Sequence, residues 1–131
     1  VEDLVTICKG YEVKVAIEQV TGRGGWSATN NFNFGYTAGL QKMMMIMLEA
    51  DILMVRPQKW QSVMRQGYKD IKKSSSTGKT QVRDPKAVAE LIVQTEWPDI
   101  DFRKSTRARK NDHNKIDAFL LAQYLKRQNG K

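Results

Sequence analysis

Cysteine is nearly absent from this chain. Cys8 stands alone, which excludes an internal disulfide framework and any zinc site built mainly from thiolates. A single thiol fits a reducing compartment. With Leu4, Val5 and Ile7 beside it, Cys8 reads as a small buried apolar residue. Long hydrophobic runs are missing too. The longest, Met43 to Leu48, is too short to cross a bilayer and is flanked by Lys42 and Glu49. The sequence as it stands reads without a secretory signal or an internal repeat, and the expected location is the cytoplasm. Acids are scarce relative to bases, 14 against 22, leaving a formal charge of +8 and a pI near 9.7. Such a balance points to a polyanionic partner, nucleic acid first, or to a merely basic protein. What is present is ordinary: 131 residues, 40% hydrophobic and 27% charged, suit one domain with a core. The chain starts at Val1 inside a helical pattern and without methionine, as expected of a fragment, a processed product, or the ordered part of something longer.

Periodicity gives an α/β reading. Leu4, Val5 and Cys8 lie at helical spacing and Gly10 is a stop. From Glu12 to Val20, Val13, Val15 and Ile17 alternate with Lys14 and Ala16, which predicts a strand with a buried face. A Gly/Ser loop over 21–29 follows, and Ser27, Thr29 or Asn30 can cap a long helix from Asn30 to Ala50. Phe34, Ala38, Gln41, Met45 and Leu48 share one side of it. Gly35 and Gly39, four apart, predict close packing of a neighbouring backbone. The methionine run reads as adaptable core, or as part of a subunit interface because it is apolar on most sides. Asp51 to Arg56 is a short strand. Pro57 opens a helix over 58–65 with Trp60, Val63 and Met64 on one face. Beyond Gly67 the chain to Arg83 is basic and polar and reads as a mobile loop. Asp84 and Pro85 begin a helix with Val88, Leu91, Ile92 and Thr95 as its stripe, closed at Trp97-Pro98. Residues 99–110 are irregular and end basic, and a last helix runs from about Asp112 to Arg127. The strands joined by the long helix form a βαβ unit, parallel with a right-handed crossover. Two strands are too few for a stable sheet, so further strands are expected to precede Val1 or to come from another chain.

Four residues carry the candidate chemistry. Glu18 ends the first strand, where open α/β sheets place ligands. On the last helix His113 and Asp117 are four apart on one face, and Asp112 precedes them at the N-cap. Two-metal nucleases need several carboxylates around ions about 3.5–4 Å apart, and Mg²⁺ is content with a few oxygens plus water. Taken singly, Asp112 is a helix cap, His113 a surface histidine and Glu18 a strand-end ion pair. Asp117 is harder to dismiss: Ile116, Ala118, Phe119 and Leu120 predict a largely buried helix, in which a carboxylate needs a partner or a metal.

The ordered set Val15-Ala16-Ile17-Glu18-Gln19-Val20, the Gly/Ser loop, Asn33-Phe34-Gly35-Tyr36-Thr37-Ala38-Gly39-Leu40, Val55-Arg56-Pro57-Gln58-Lys59-Trp60 and Lys110-Asn111-Asp112-His113-Asn114-Lys115-Ile116-Asp117-Ala118 resembles the RuvC-like Holliday junction resolvases, phage-type members most. The resemblance implies a single RNase H-like nuclease domain over residues 1–131, with a mixed sheet flanked by helices. It implies a homodimer in a bacterial or phage-infected cell, serving DNA recombination and repair by cutting branched DNA with Mg²⁺ or Mn²⁺. Glu18 and Asp117 match the family's second and last acids, and Asp112 and His113 compete to complete the site. Glu18, Asp112 and Asp117 are thus the implied metal ligands. The family's first acid, on an N-terminal strand, has no counterpart here, nor has the hairpin after it, so the domain is expected to be incomplete at its N-terminus.

Basic residues between the two acidic segments suit phosphate contacts: Arg23, Lys69, Lys72, Lys73, Lys79, Arg83, Arg107, Arg109 and Lys110. Trp26 reads either as a base-stacking platform or as a core residue folding back. Two other readings stay open. One is a non-catalytic module of the same fold that binds branched or single-stranded DNA. The other is a small scaffold dimerising through the methionine-rich helix.

Overall fold

The computed structural model describes residues 2–19, 21–22 and 24–130, and Arg23 of the expected DNA-binding set lies outside them. The described residues form five helices and four strands in α/β order. The chain divides into two compact units, Val1–Trp60 and Gln61–Lys131.

The first unit is the expected βαβ arrangement. Helix α1 (Glu2–Cys8) leads to strand β1 (Lys14–Glu18), helix α2 (Ala28–Met47), strand β2 (Asp51–Val55) and the start of α3 (Pro57–Met64). β1 and β2 pair in parallel, from Lys14 opposite Asp51 to Glu18 opposite Val55. Ser27 takes the N-cap of α2, its hydroxyl accepting from the Asn30 N–H at 3.1 Å. Past the other end Glu49 adopts φ +53, a left-handed conformation that glycine usually supplies.

Burial in this unit is thin. Among its described residues Val55 and Trp60 alone reach the core, and α2 contains no buried residue. Phe34, Ala38, Met45 and Leu48 are half-buried along the expected side, whereas Gln41 is exposed. The methionine run is not core: Met43, Ile46 and Met47 are exposed. Phe32, Tyr36, Leu40, Met43 and Met47, spaced for one helix face, are 49–71% exposed. The close packing expected at Gly35 and Gly39 is absent, since a Cβ at either would meet nothing within 4 Å. Cys8 is half-buried, with Leu4, Val5 and Ile7 exposed around it.

The second unit holds nine of the eleven buried hydrophobic residues among those described. Gly67, at φ +90, ends the turn after α3. The stretch expected as a mobile loop is instead an antiparallel hairpin, β3 (Lys72–Ser74) against β4 (Gln81–Arg83). Its strands lack apolar alternation, and turn and cross-strand hydrogen bonds hold it. Asp84 caps α4 (Pro85–Glu96), accepting from the N–H groups of Lys86 and Ala87. Val88, Ala89, Ile92 and Val93 of α4 and Ile116, Leu120 and Tyr124 of α5 (His113–Asn129) are buried. Each Val, Ile or Leu among them contributes about 1.5–3 kcal/mol when fully buried. Trp97 and Phe102 meet Phe119 edge-to-face at 5.0 and 5.2 Å.

The segment before α5 is irregular yet tied down. Arg103 bridges Asn111, and the Asp112 N–H donates to the Phe102 carbonyl at 2.9 Å. The single mixed sheet implied by the resemblance is not assembled among the described residues, which form two separate two-stranded sheets.

Candidate functional site

Glu18 is the best-defined site residue. Parallel pairing with Val55 sets it beside the first turn of α3, and there Trp60 Nε1 donates to Glu18 Oε1 at 2.9 Å. Trp60 is 2% exposed and Glu18 half-buried, so a fixed donor pins one carboxylate oxygen. The other oxygen, Oε2, has no hydrogen-bond partner among the described residues. The carboxylate opens on a cleft of about 550 Å³, lined also by Gln19, Thr21, Phe34, Arg56 and Gln58. A carboxylate and a guanidinium on one cleft wall can bind a phosphate ester while keeping an acceptor for a proton or a cation.

Phe34 also lines a second cleft, of about 370 Å³, with Trp26, Asn30, Asn33 and Thr37. Trp26 is 41% exposed and meets Phe34 edge-on at 5.5 Å. It is therefore a surface aromatic with one braced edge, not a core residue.

The remaining acids belong to the second unit. Asp112 is the N-cap of α5, accepting from the Asn114 N–H at 2.9 Å, so the simple cap reading accounts for one of its oxygens. His113 is half-buried, and its Nδ1 is the one enclosed side-chain N or O without a hydrogen-bond partner among the described residues. Asp117 is exposed, contrary to the expectation of burial. The buried line of α5 is Ile116, Leu120 and Tyr124, and the next position around the helix turns away from it. Asp117 instead acts on Arg65. Burial and nearby Arg83 lower the Arg65 pKa, while Asp117 and Asp70 push it back up.

No family model, curated protein or solved structure matches this chain.

Among the described residues no group of three or more His, Cys, Asp and Glu side chains could hold a metal ion. Within the second unit Asp112, His113 and Asp117 thus do not form a protein-built metal cage. Mg²⁺ needs less than a cage, one or two carboxylates completed by water and substrate phosphate.

The basic candidates sort into paired and open groups. Lys73 is 3.5 Å from Asp84, and Arg83 pairs with Asp70. These contacts compete with the phosphate role expected of Lys73 and Arg83. Lys69, Lys72, Lys79, Arg107, Arg109 and Lys110 are exposed. No described helix is long and apolar enough to cross a membrane.

The sequence places Trp60 on the apolar face of its helix and Arg56 in the segment that carries the resemblance, but assigns neither a role beside Glu18. The usable signal was the parallel pairing, which sets the residues after β2 beside the end of β1.

Proposed function

We propose that this chain is a structure-selective endodeoxyribonuclease that resolves branched DNA, of the RuvC-like Holliday junction resolvase type on an RNase H-like fold. The observation that supports it most is the Glu18 carboxylate, held by Trp60 at the C-terminal end of β1 beside Arg56 in an open cleft. Parallel α/β units bind ligands at this end of their strands. In hydrolysis, water attacks the phosphorus and one P–O bond breaks, with no covalent enzyme intermediate. Arg56 neutralises phosphate charge, Glu18 offers a fixed acceptor, and Trp26 presents a ring for an unpaired base. Mg²⁺ or Mn²⁺ is the expected cofactor on the resemblance, with Glu18, Asp112 and Asp117 as its assigned ligands and His113 as a further candidate.

A homodimer belongs to the same reading. The exposed stripe Phe32, Tyr36, Leu40, Met43 and Met47 lies on a helix whose only charged residue is Lys42. Two copies of a +8 chain can approach along that face without strong repulsion. Light scattering at high concentration should give twice the chain mass; a monomeric mass there would remove this part of the reading.

The deciding experiment is cleavage of a labelled four-way junction beside a linear duplex, with Mg²⁺, Mn²⁺ or EDTA, for the wild type, Glu18→Gln and Asp117→Asn. Metal-dependent nicking of the junction, lost in both variants, is expected. The second reading, a non-catalytic DNA-binding module of the same fold, needs only the exposed lysines Lys69, Lys72 and Lys79. Tight binding without cleavage in any metal would select it.

A further inference from the structure

We propose that the β3–β4 hairpin is a two-stranded ribbon that enters the major groove of a duplex DNA arm, with the Lys72, Ser74, Gln81 and Arg83 face toward the bases. This rests on the nucleic-acid part of the proposed function and adds which element reads DNA and where. Lys72 pairs with Arg83, Lys73 with Val82 and Ser74 with Gln81. Strand alternation then puts Lys72, Ser74, Gln81 and Arg83 on one face and Lys73 and Val82 on the other. All six residues are exposed, so the ribbon is ordered without being buried.

The two faces differ chemically. The first has a polar middle, where Gln81 Nε2 donates to Ser74 Oγ at 3.3 Å, and two cations at its base, Lys72 and Arg83, the latter paired with Asp70. Gln81 keeps an amide N–H and its carbonyl oxygen for a base edge, the pair that recognises adenine in the major groove. On the other face Lys73 is tied to Asp84 beside the apolar Val82. Among the described residues neither Lys72 nor Lys79 has an ion-pair partner.

The tip is stiff. Ser75 N–H donates to the Thr80 carbonyl at 2.8 Å, Gly78 N–H to the Ser75 carbonyl at 2.9 Å, and Thr80 N–H to Ser75 Oγ at 3.3 Å. Gly78, at φ +70, makes the reversal that presents Lys79. The major groove, about 12 Å wide, admits a two-stranded ribbon, whereas the minor groove, about 6 Å wide, does not. Lys72 at the base and Lys79 at the tip then meet phosphates on opposite groove walls, with Gln81 between them at base depth.

The test is fluorescence anisotropy of the full chain on a labelled duplex over a salt series, with EDTA present to prevent cleavage. For Lys72→Ala/Lys79→Ala the slope of log affinity against log salt should fall by about 1.8, and affinity at 0.1 M salt by about 60-fold, from a slope of about 0.9 per phosphate contact. Val82→Ser, on the other face, should change neither. Methyl green, which occupies the major groove, should displace the protein, and netropsin, which occupies the minor groove, should not. An unchanged slope in the double variant, or displacement by netropsin alone, overturns the ribbon. If the wild type cuts junctions while the double variant binds and cuts equally well, only the ribbon falls. If the wild type binds no DNA, the nucleic-acid reading and the ribbon fall together.

Discussion

Replacing Trp60 by Phe isolates the contact on which the candidate site depends. The change removes the indole N–H that donates to Glu18 Oε1 at 2.9 Å and keeps an aromatic ring in a position that is 2% exposed. A hydrogen bond to a charged group contributes about 1.5–3 kcal/mol, and its loss leaves a half-buried carboxylate with less solvation than it had. The smaller ring adds about 1 kcal/mol of lost packing. The sum is about 3 kcal/mol, which at a urea m-value of about 2 kcal/mol/M moves the unfolding midpoint down by about 1.5 M. Packing and bonding separate in a double-mutant cycle with Glu18→Ala, followed by far-UV circular dichroism in urea. The coupling between Trp60→Phe and Glu18→Ala should exceed about 1 kcal/mol, because the second change removes the acceptor that the first leaves unpaired. Additivity within about 0.5 kcal/mol would show that the indole and the carboxylate act independently, and the positioning argument for Glu18 would fail.

Three further outcomes are expected. The bidentate contact of Arg103 and the Arg103 backbone N–H hold the Asp101 carboxyl down to about 2, from an ordinary 3.8. Because the folded pKa lies below the unfolded one, the stabilisation is present above about pH 4 and lost as pH falls through about 2. An NMR titration of Asp101 should show that midpoint and Arg103→Ala should raise it; a midpoint near 3.8 in the wild type would refute the clamp. Leu120→Ala, at a position 1% exposed, should destabilise the second unit by about 2–5 kcal/mol in chemical denaturation. Glu49→Gly should stabilise by about 1 kcal/mol, relieving the left-handed conformation after α2, and a lower melting temperature would contradict the cap geometry.

Local chemistry was legible in the sequence and distant geometry was not. Asp84 and Asp112 announced their caps because a capping side chain bonds a backbone N–H two or three residues away, while Ser27 stood as one of three candidates with Thr29 and Asn30. β1 and β2 were legible from β-branched and apolar runs, and their parallel pairing from the helix between them. The hairpin was not, because Lys72-Lys73-Ser74 and Gln81-Val82-Arg83 have no apolar alternation. Nor was the Glu18–Trp60 bond, whose partners are 42 residues apart and meet only through the register of two strands. Asp117 was misjudged for burial because Ala118 and Phe119 were counted toward the inner face. Ala118 is exposed and Phe119 half-buried. The choice between a loose basic surface and ion-paired cations depended on Asp70 and Asp84, whose partners composition does not name.

The uneven distribution of buried side chains bears on how the chain is made. Synthesis runs from the N-terminus, so Val1–Trp60, where Val55 and Trp60 are the buried hydrophobic residues among those described, leaves the ribosome before Gln61–Lys131. Nine of the described core residues follow in Gln61–Lys131. During that interval the stripe from Phe32 to Met47, and the strand edges of the β1–β2 pair that have no partner among the described residues, are open to other nascent chains. Low yield, inclusion bodies and rescue by slow expression are the expected behaviour, and substitutions that improve yield should concentrate on α2 rather than on α4 or α5.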